Sequence, residues 1–257
     1  TIYFTIFIAI ILLFLISNFS FKDGKPTCNN FVINTYLYLA FSICFLGIVI
    51  HYFHKYFLDN EKQYSKLIKL ILPYFLLLFI VSLILIYYIS IQPTFDKNST
   101  NVINNHIMWL IFISIMSIIL IPRVKSSATE KYVNESIFIV SFIFITMSSI
   151  VYLFPAFFSQ TFNFMYVALL LSLITIIIAE LINYFFNSNF NSFIETRRTI
   201  SYIVIFIFSL YVSYDTQKTI MLSNICSNYP NYPKTSVSFF LDLINLFSRV
   251  MFLKSNR

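Results

Sequence analysis

The chain has 257 residues, of which 59% are hydrophobic and only 11% charged, with a net charge of +7 at neutral pH. Soluble domains carry about 25% charged residues, so this composition excludes a soluble enzyme or polar binding module and defines a polytopic membrane protein. The lysines and arginines stand in short loops between apolar runs, which points to orientation in a bilayer rather than to a nucleic-acid partner.

Eight apolar stretches follow one another, at about 2–19, 31–53, 68–91, 107–122, 136–157, 163–186, 199–214 and 235–253. A helix needs about 20 residues to cross a hydrocarbon core ~30 Å thick. The runs are apolar all round rather than at every second position, which excludes a barrel. The expected fold is an all-α transmembrane helix bundle of seven or eight helices in one domain.

The first stretch lacks the basic head and small-residue cleavage site of a secretory signal. It reads as a retained span, so residues 1–30 form an additional N-terminal segment before a bundle over 31–257. His51 and His54 beside Lys55 read as interfacial anchors, because no third metal ligand accompanies them. The segment 54–67 is the most charged and is expected to be a short solvated helix or loop. Asn98-Ser99-Thr100 matches a glycosylation acceptor and reads as a polar loop. His106 before Trp109 reads as an interfacial belt.

The fourth and seventh stretches are short, and the eighth carries Asp242 and Arg249, so any of the three could be partial or re-entrant. Glu180, about one turn from the end of the sixth, is expected to reach the interface rather than line an ion path. If all eight stretches cross, the loops on the side of the N-terminus hold Lys55, Lys62, Lys66, Lys69, Arg123, Lys125, Lys131, Arg197 and Arg198, with Lys254 and Arg257 in the tail. The opposite side holds Lys22, Lys25, Lys97, Lys218 and Lys234. Both termini are therefore expected on the cytoplasmic or matrix face.

Thirty-two phenylalanines stand against only two glycines, Gly24 and Gly47. Membrane helices usually approach through small residues, so serine and threonine must supply most close contacts here. So few glycines also exclude a phosphate-cradling loop. No serine or cysteine nucleophile constellation is present, and no catalysis is expected. Cys44 reads as inert packing. Cys28 and Cys226 fall in loops on the same side, which leaves one disulfide open to them.

The polar residues lie near the C-terminus. Ser238, Asp242, Asn245 and Arg249 are spaced four, three and four apart, which puts them on one helical face. Tyr211, Tyr214, Asp215 and Lys218 do the same at the end of the seventh stretch. An aspartate within a membrane helix costs about 2.5–3.5 kcal/mol on insertion scales, so two of them call for a reason. Facing each other, they would share a proton and exchange it for a cation. The plainer alternative is local pairing, Asp215 with Lys218 and Asp242 with Asn245.

Tyr214-Asp215-Thr216-Gln217 and Leu241-Asp242-Leu243-Ile244-Asn245-Leu246-Phe247 resemble the paired C-terminal elements of the transmembrane Bax-inhibitor-motif family. Lys218, Phe247-Ser248-Arg249-Val250 and the ending Asn256-Arg257 look most like its mitochondrial growth-hormone-inducible branch. Asn34-Thr35-Tyr36-Leu37-Tyr38-Leu39-Ala40 and His106-Ile107-Met108-Trp109-Leu110 are weaker likenesses upstream. The resemblance implies a bundle of about seven helices over 31–257 with the last one, the C-terminal helix, central, and with Asp215 and Asp242 as a pH-sensitive latch. The implied activity is a calcium leak or calcium/proton exchange across the mitochondrial inner membrane. The near-loss of glycine and the added N-terminal segment depart from the family pattern, and an early basic latch partner has no match.

Two readings follow. In the first, Asp215 and Asp242 handle calcium weakly and in transit, supported by Ser238, Asn245, Arg249 and Tyr214, and no resident cofactor is needed. In the second, the chain is a structural accessory subunit of a large inner-membrane respiratory complex without transport. The lipid bilayer is a partner in either, and another intracellular membrane is the alternative location. A core subunit of an energy-converting complex would need paired histidines for haem or copper, which are missing.

Overall fold

Prolines and capping asparagines set where the helices begin. The computed structural model describes residues 2–53, 69, 72–91, 99–126, 130–186, 189–226 and 229–255. The charged segment 54–67 with His54, and Asn98 of the acceptor triplet, lie outside the described residues. In chain order the elements are α1 (Ile2–Ser20), a hairpin of β1 (Phe21–Lys22) and β2 (Lys25–Pro26), and α2 (Phe31–Phe53). A 3-10 turn (Leu72–Tyr74), α3 (Phe75–Ile91), α4 (Ser99–Ser126), α5 (Glu130–Leu153), α6 (Pro155–Phe186), α7 (Phe190–Ile225) and α8 (Tyr232–Ser255) follow. All of these helices except α3 are long and apolar enough to cross a membrane.

The fourth and seventh stretches were expected to be short, yet α4 has 28 residues and α7 has 36. Apolar runs understate them because polar residues continue the helix at its ends, Asn101 to His106 in α4 and Glu195 to Thr199 in α7. The break expected after residue 157 falls earlier. Only Phe154 separates α5 from α6, because Pro155 has no N–H to donate and suits a first helical turn. Phe154 N still donates to Ile150 O at 3.0 Å.

The chain divides into two compact units, Thr1–Lys125 with Met221–Phe240, and Ser126–Ile220 with Leu241–Arg257. In the first, α1 packs on α2. The hairpin turns at Asp23 and Gly24, whose φ values of 52° and 72° match the two-residue turn favoured between twisted strands. Asn34 Nδ2 donates to Phe19 O at the end of α1 (3.1 Å) and to Asn29 O (2.8 Å). Asn231 caps α8 by accepting from Lys234 N at 3.0 Å, and its Nδ2 donates to Ile89 O of α3. Lys234 Nζ donates to Ser90 O at 2.9 Å, so two of the end carbonyls of α3 are satisfied.

An aromatic cluster forms the core of this unit. Tyr38 lies 5.2 Å from Trp109 and 5.4 Å from Tyr232, ring centre to ring centre. Tyr38 Oη and His106 Nε2 are 2.7 Å apart, while His106 Nδ1 meets Val102 O at 2.7 Å. A neutral ring that donates through Nδ1 accepts the Tyr38 proton through Nε2. At His106 and Trp109, expected to form an interfacial belt, Trp109 is only 4% exposed and His106 half-buried, and the two rings meet edge-to-face at 6.3 Å.

Cys28 and Cys226 form a disulfide with Cα atoms 5.9 Å apart. Tying positions 198 apart stabilises the fold by at most about 5 kcal/mol in the chain-entropy picture. On non-reducing gels the wild-type chain is expected to run faster than Cys28→Ser, and reduction should erase the difference. Equal mobility before reduction would show that the two thiols are not joined.

The second unit is a four-helix bundle whose helices alternate in direction. Lys254 of α8 meets Glu135 near the start of α5, Arg249 pairs with Glu180 near the end of α6, and Arg197 near the start of α7 lies on Phe252. At the other end Phe162 of α6 stacks on Tyr214 of α7, and Ser148 of α5 meets Thr216 at 3.2 Å. Serine and threonine make the close contacts, with Ser213 Oγ donating to Met147 O and Thr216 Oγ1 to Val212 O. Of the four helices that enter this unit, α8 is the most buried, 56% over its apolar window against 50% for α7 and 11% for α6.

Candidate ion site

Helices α7 and α8 carry the two acids to one level of the second unit. Asp215 is 7% exposed and Asp242 5%. Each lies ten residues from a helix end, Asp215 from Ile225 and Asp242 from Tyr232. At 1.5 Å per residue that is about 15 Å, which puts Asp242 near the middle of the 24-residue α8 and Asp215 where the apolar run of α7 ends. Asp215 acts electrostatically on Asp242, and both act on the Tyr211 hydroxyl.

Pairing with Asn245 does not account for Asp242. Lys218 is exposed whereas Asp215 is buried, and Asn245 Nδ2 donates to Leu241 O of its own helix at 2.9 Å. Asp242 Oδ2 is buried without a hydrogen-bond partner among the described residues, and so is Gln217 Oε1. Acceptor oxygens in this state suit a cation, a proton or water.

The proposed polar stripe does not share one environment. Asp242 is buried, Asn245 and Arg249 are half-buried, and Ser238 belongs to the first unit. Tyr214 is stacked 4.7 Å from Phe162, which fixes the ring beside Asp215. Arg249 is tied up by Glu180, with side chains 17% and 39% exposed. Glu180 thus reaches towards the surface as expected, but with a partner 69 positions away. The Ser148–Thr216 contact was not singled out, and Gln217, quoted only within the family element, ends the buried run from Val212 to Gln217.

The ion pair allows a direct prediction. Arg249→Ala should lower stability by about 1–3 kcal/mol by stranding a part-buried carboxylate, whereas Arg249→Met with Glu180→Leu should recover most of the loss. Thermal melting of the single and paired variants in detergent checks it. Equal losses in both would mean that Arg249 acts through packing alone.

Among the described residues no group of three or more His, Cys, Asp or Glu converges. Calcium takes six to eight oxygens, so the two carboxyls would need carbonyls or waters to complete a shell. Such a site favours transit over storage.

An all-helical polytopic bundle whose last helix faces a second buried acid defines a class of membrane proteins. The model of the family described as inhibitor of apoptosis-promoting Bax1 matches residues 28–256, and the chain belongs to that family. Helix α1 and the hairpin precede the matched region. No curated protein matches the chain.

Proposed function

We propose that this protein passes cations across a membrane, with Asp215 and Asp242 as the groups that alternate between holding a proton and contacting the ion. The observation that supports it is a pair of buried carboxyls on α7 and α8 that act on each other, one oxygen of which has no hydrogen-bond partner among the described residues. Removing a proton from the pair adds negative charge where a cation can be coordinated, so protonation and cation occupancy oppose each other. Calcium is the cargo best suited to hard carboxylate oxygens, and calcium/proton exchange or a pH-sensitive leak is the activity proposed.

The mitochondrial inner membrane is the proposed site. The likeness of Lys218 and Phe247-Ser248-Arg249-Val250 to the mitochondrial branch supports it, as does a disulfide on the loop side poorer in basic residues, since disulfides persist in oxidising compartments. Purified chain in liposomes loaded with a calcium dye tests the activity: flux above protein-free vesicles, varying with pH, is expected. Flux no greater than in empty vesicles, together with stoichiometric co-migration with respiratory subunits on native gels, would instead establish the accessory-subunit reading. The outward apolar faces of α1 and α6 suit lipid as well as neighbours, and so do not favour it.

A further inference from the structure

Charge in the second unit gathers where α8 ends. Two acids there are already engaged, Glu180 by Arg249 and Glu135 by Lys254 at 2.7 Å. Arg197 is not. Among the described residues its guanidinium meets no carboxylate and no hydrogen-bond acceptor; it lies over the Phe252 ring, 4.6 Å from the centre. Arg249 and Glu180, already paired with each other, lie near it. Arg198 adds a further cation next to it.

A guanidinium has five N–H donors in a planar fork, and Arg197 is half-buried, so water serves only part of that fork. The aromatic seat on one face orients the fork sideways and limits its motion. Its depth is informative too. The apolar run of α7 resumes at Ile200, three residues on, so Arg197 stands where hydrocarbon gives way to headgroups. It also stands on the side richer in basic residues, where anionic lipid phosphates concentrate. The ligand that meets a planar fork with two oxygens at this depth is a phosphate group.

We propose that Arg197, seated on Phe252 and flanked by Arg198 and Arg249, binds a phosphate group at the membrane surface. The phosphodiester of an anionic phospholipid and free inorganic phosphate share this chemistry. The site is separate from the aspartate pair and does not depend on which ion, if any, passes there.

Native mass spectrometry of the full chain tests it, after incubation with phosphatidylglycerol, phosphatidylcholine or inorganic phosphate. A phosphatidylglycerol adduct is expected, reduced about tenfold in Arg197→Ala by loss of the charged fork. Arg197→Lys keeps charge without the fork and Phe252→Leu keeps the charge without the seat; both should give intermediate retention. An inorganic-phosphate adduct that displaces the lipid and vanishes in Arg197→Ala would assign the site to the free anion. Equal adducts in wild type, Arg197→Ala and Arg197→Lys would overturn the proposal. If the alanine variant fails to fold, the lysine and Phe252 variants still decide it.

Discussion

Replacing Asp242 by asparagine is expected to reduce calcium flux at least about tenfold while leaving the bundle as stable as wild type or more so. The side chain keeps its shape, but the group that exchanges a proton for a cation is gone. A carboxylate within a membrane helix costs about 2.5–3.5 kcal/mol on insertion scales, and a neutral amide costs less. The unpartnered Oδ2 offers no hydrogen bond that the substitution would break. Asp215→Asn should lower flux similarly, and either change should flatten the pH response. The decisive comparison sets liposome flux beside the melting temperature. Undiminished flux in both variants would sink the ion-path proposal, whereas lost flux with a collapsed melting transition would make the acids structural.

The second large effect belongs to the first unit. Trp109→Ala should cost about 3 kcal/mol, since it empties a site bounded by Tyr38, Phe41 and His106. The loss comes from packing and cavity formation rather than from transfer out of water, because lipid is as apolar as the core. Tyr38→Phe removes the hydroxyl bonded to His106 and should cost about 1 kcal/mol. Phe164→Ala, at a residue 75% exposed on α6, should change stability by less than about 0.5 kcal/mol. Detergent-solubilised melting curves for the three variants should fall in that order. A Phe164 effect as large as that of Trp109 would mean that the outward face of α6 is covered.

The carboxyl pair was legible in the sequence because an acid inside an apolar run stands out, and the spacing placed each one on its helix. The helix ends were less legible. Asn101 to His106 and Glu195 to Thr199 look like loop, but helices continue through polar residues when a bundle extends past the hydrocarbon core. The Glu180–Arg249 pair and the Trp109 cluster could not be read, because no periodicity relates residues on different helices. The hairpin at Asp23-Gly24 was not read, because strands this short carry almost no alternation of their own.

The Cys28–Cys226 bond settles a matter of parity. Two loops joined covalently open into the same compartment, so the chain crosses the bilayer an even number of times between them. Among the described residues six helices, α2 to α7, lie in that interval. If these alone cross, α3 must be one of the crossings for the two sulfurs to meet. Its seventeen residues rise only about 25 Å, but the 3-10 turn at Leu72–Tyr74 adds about 6 Å. Together they reach the ~30 Å needed.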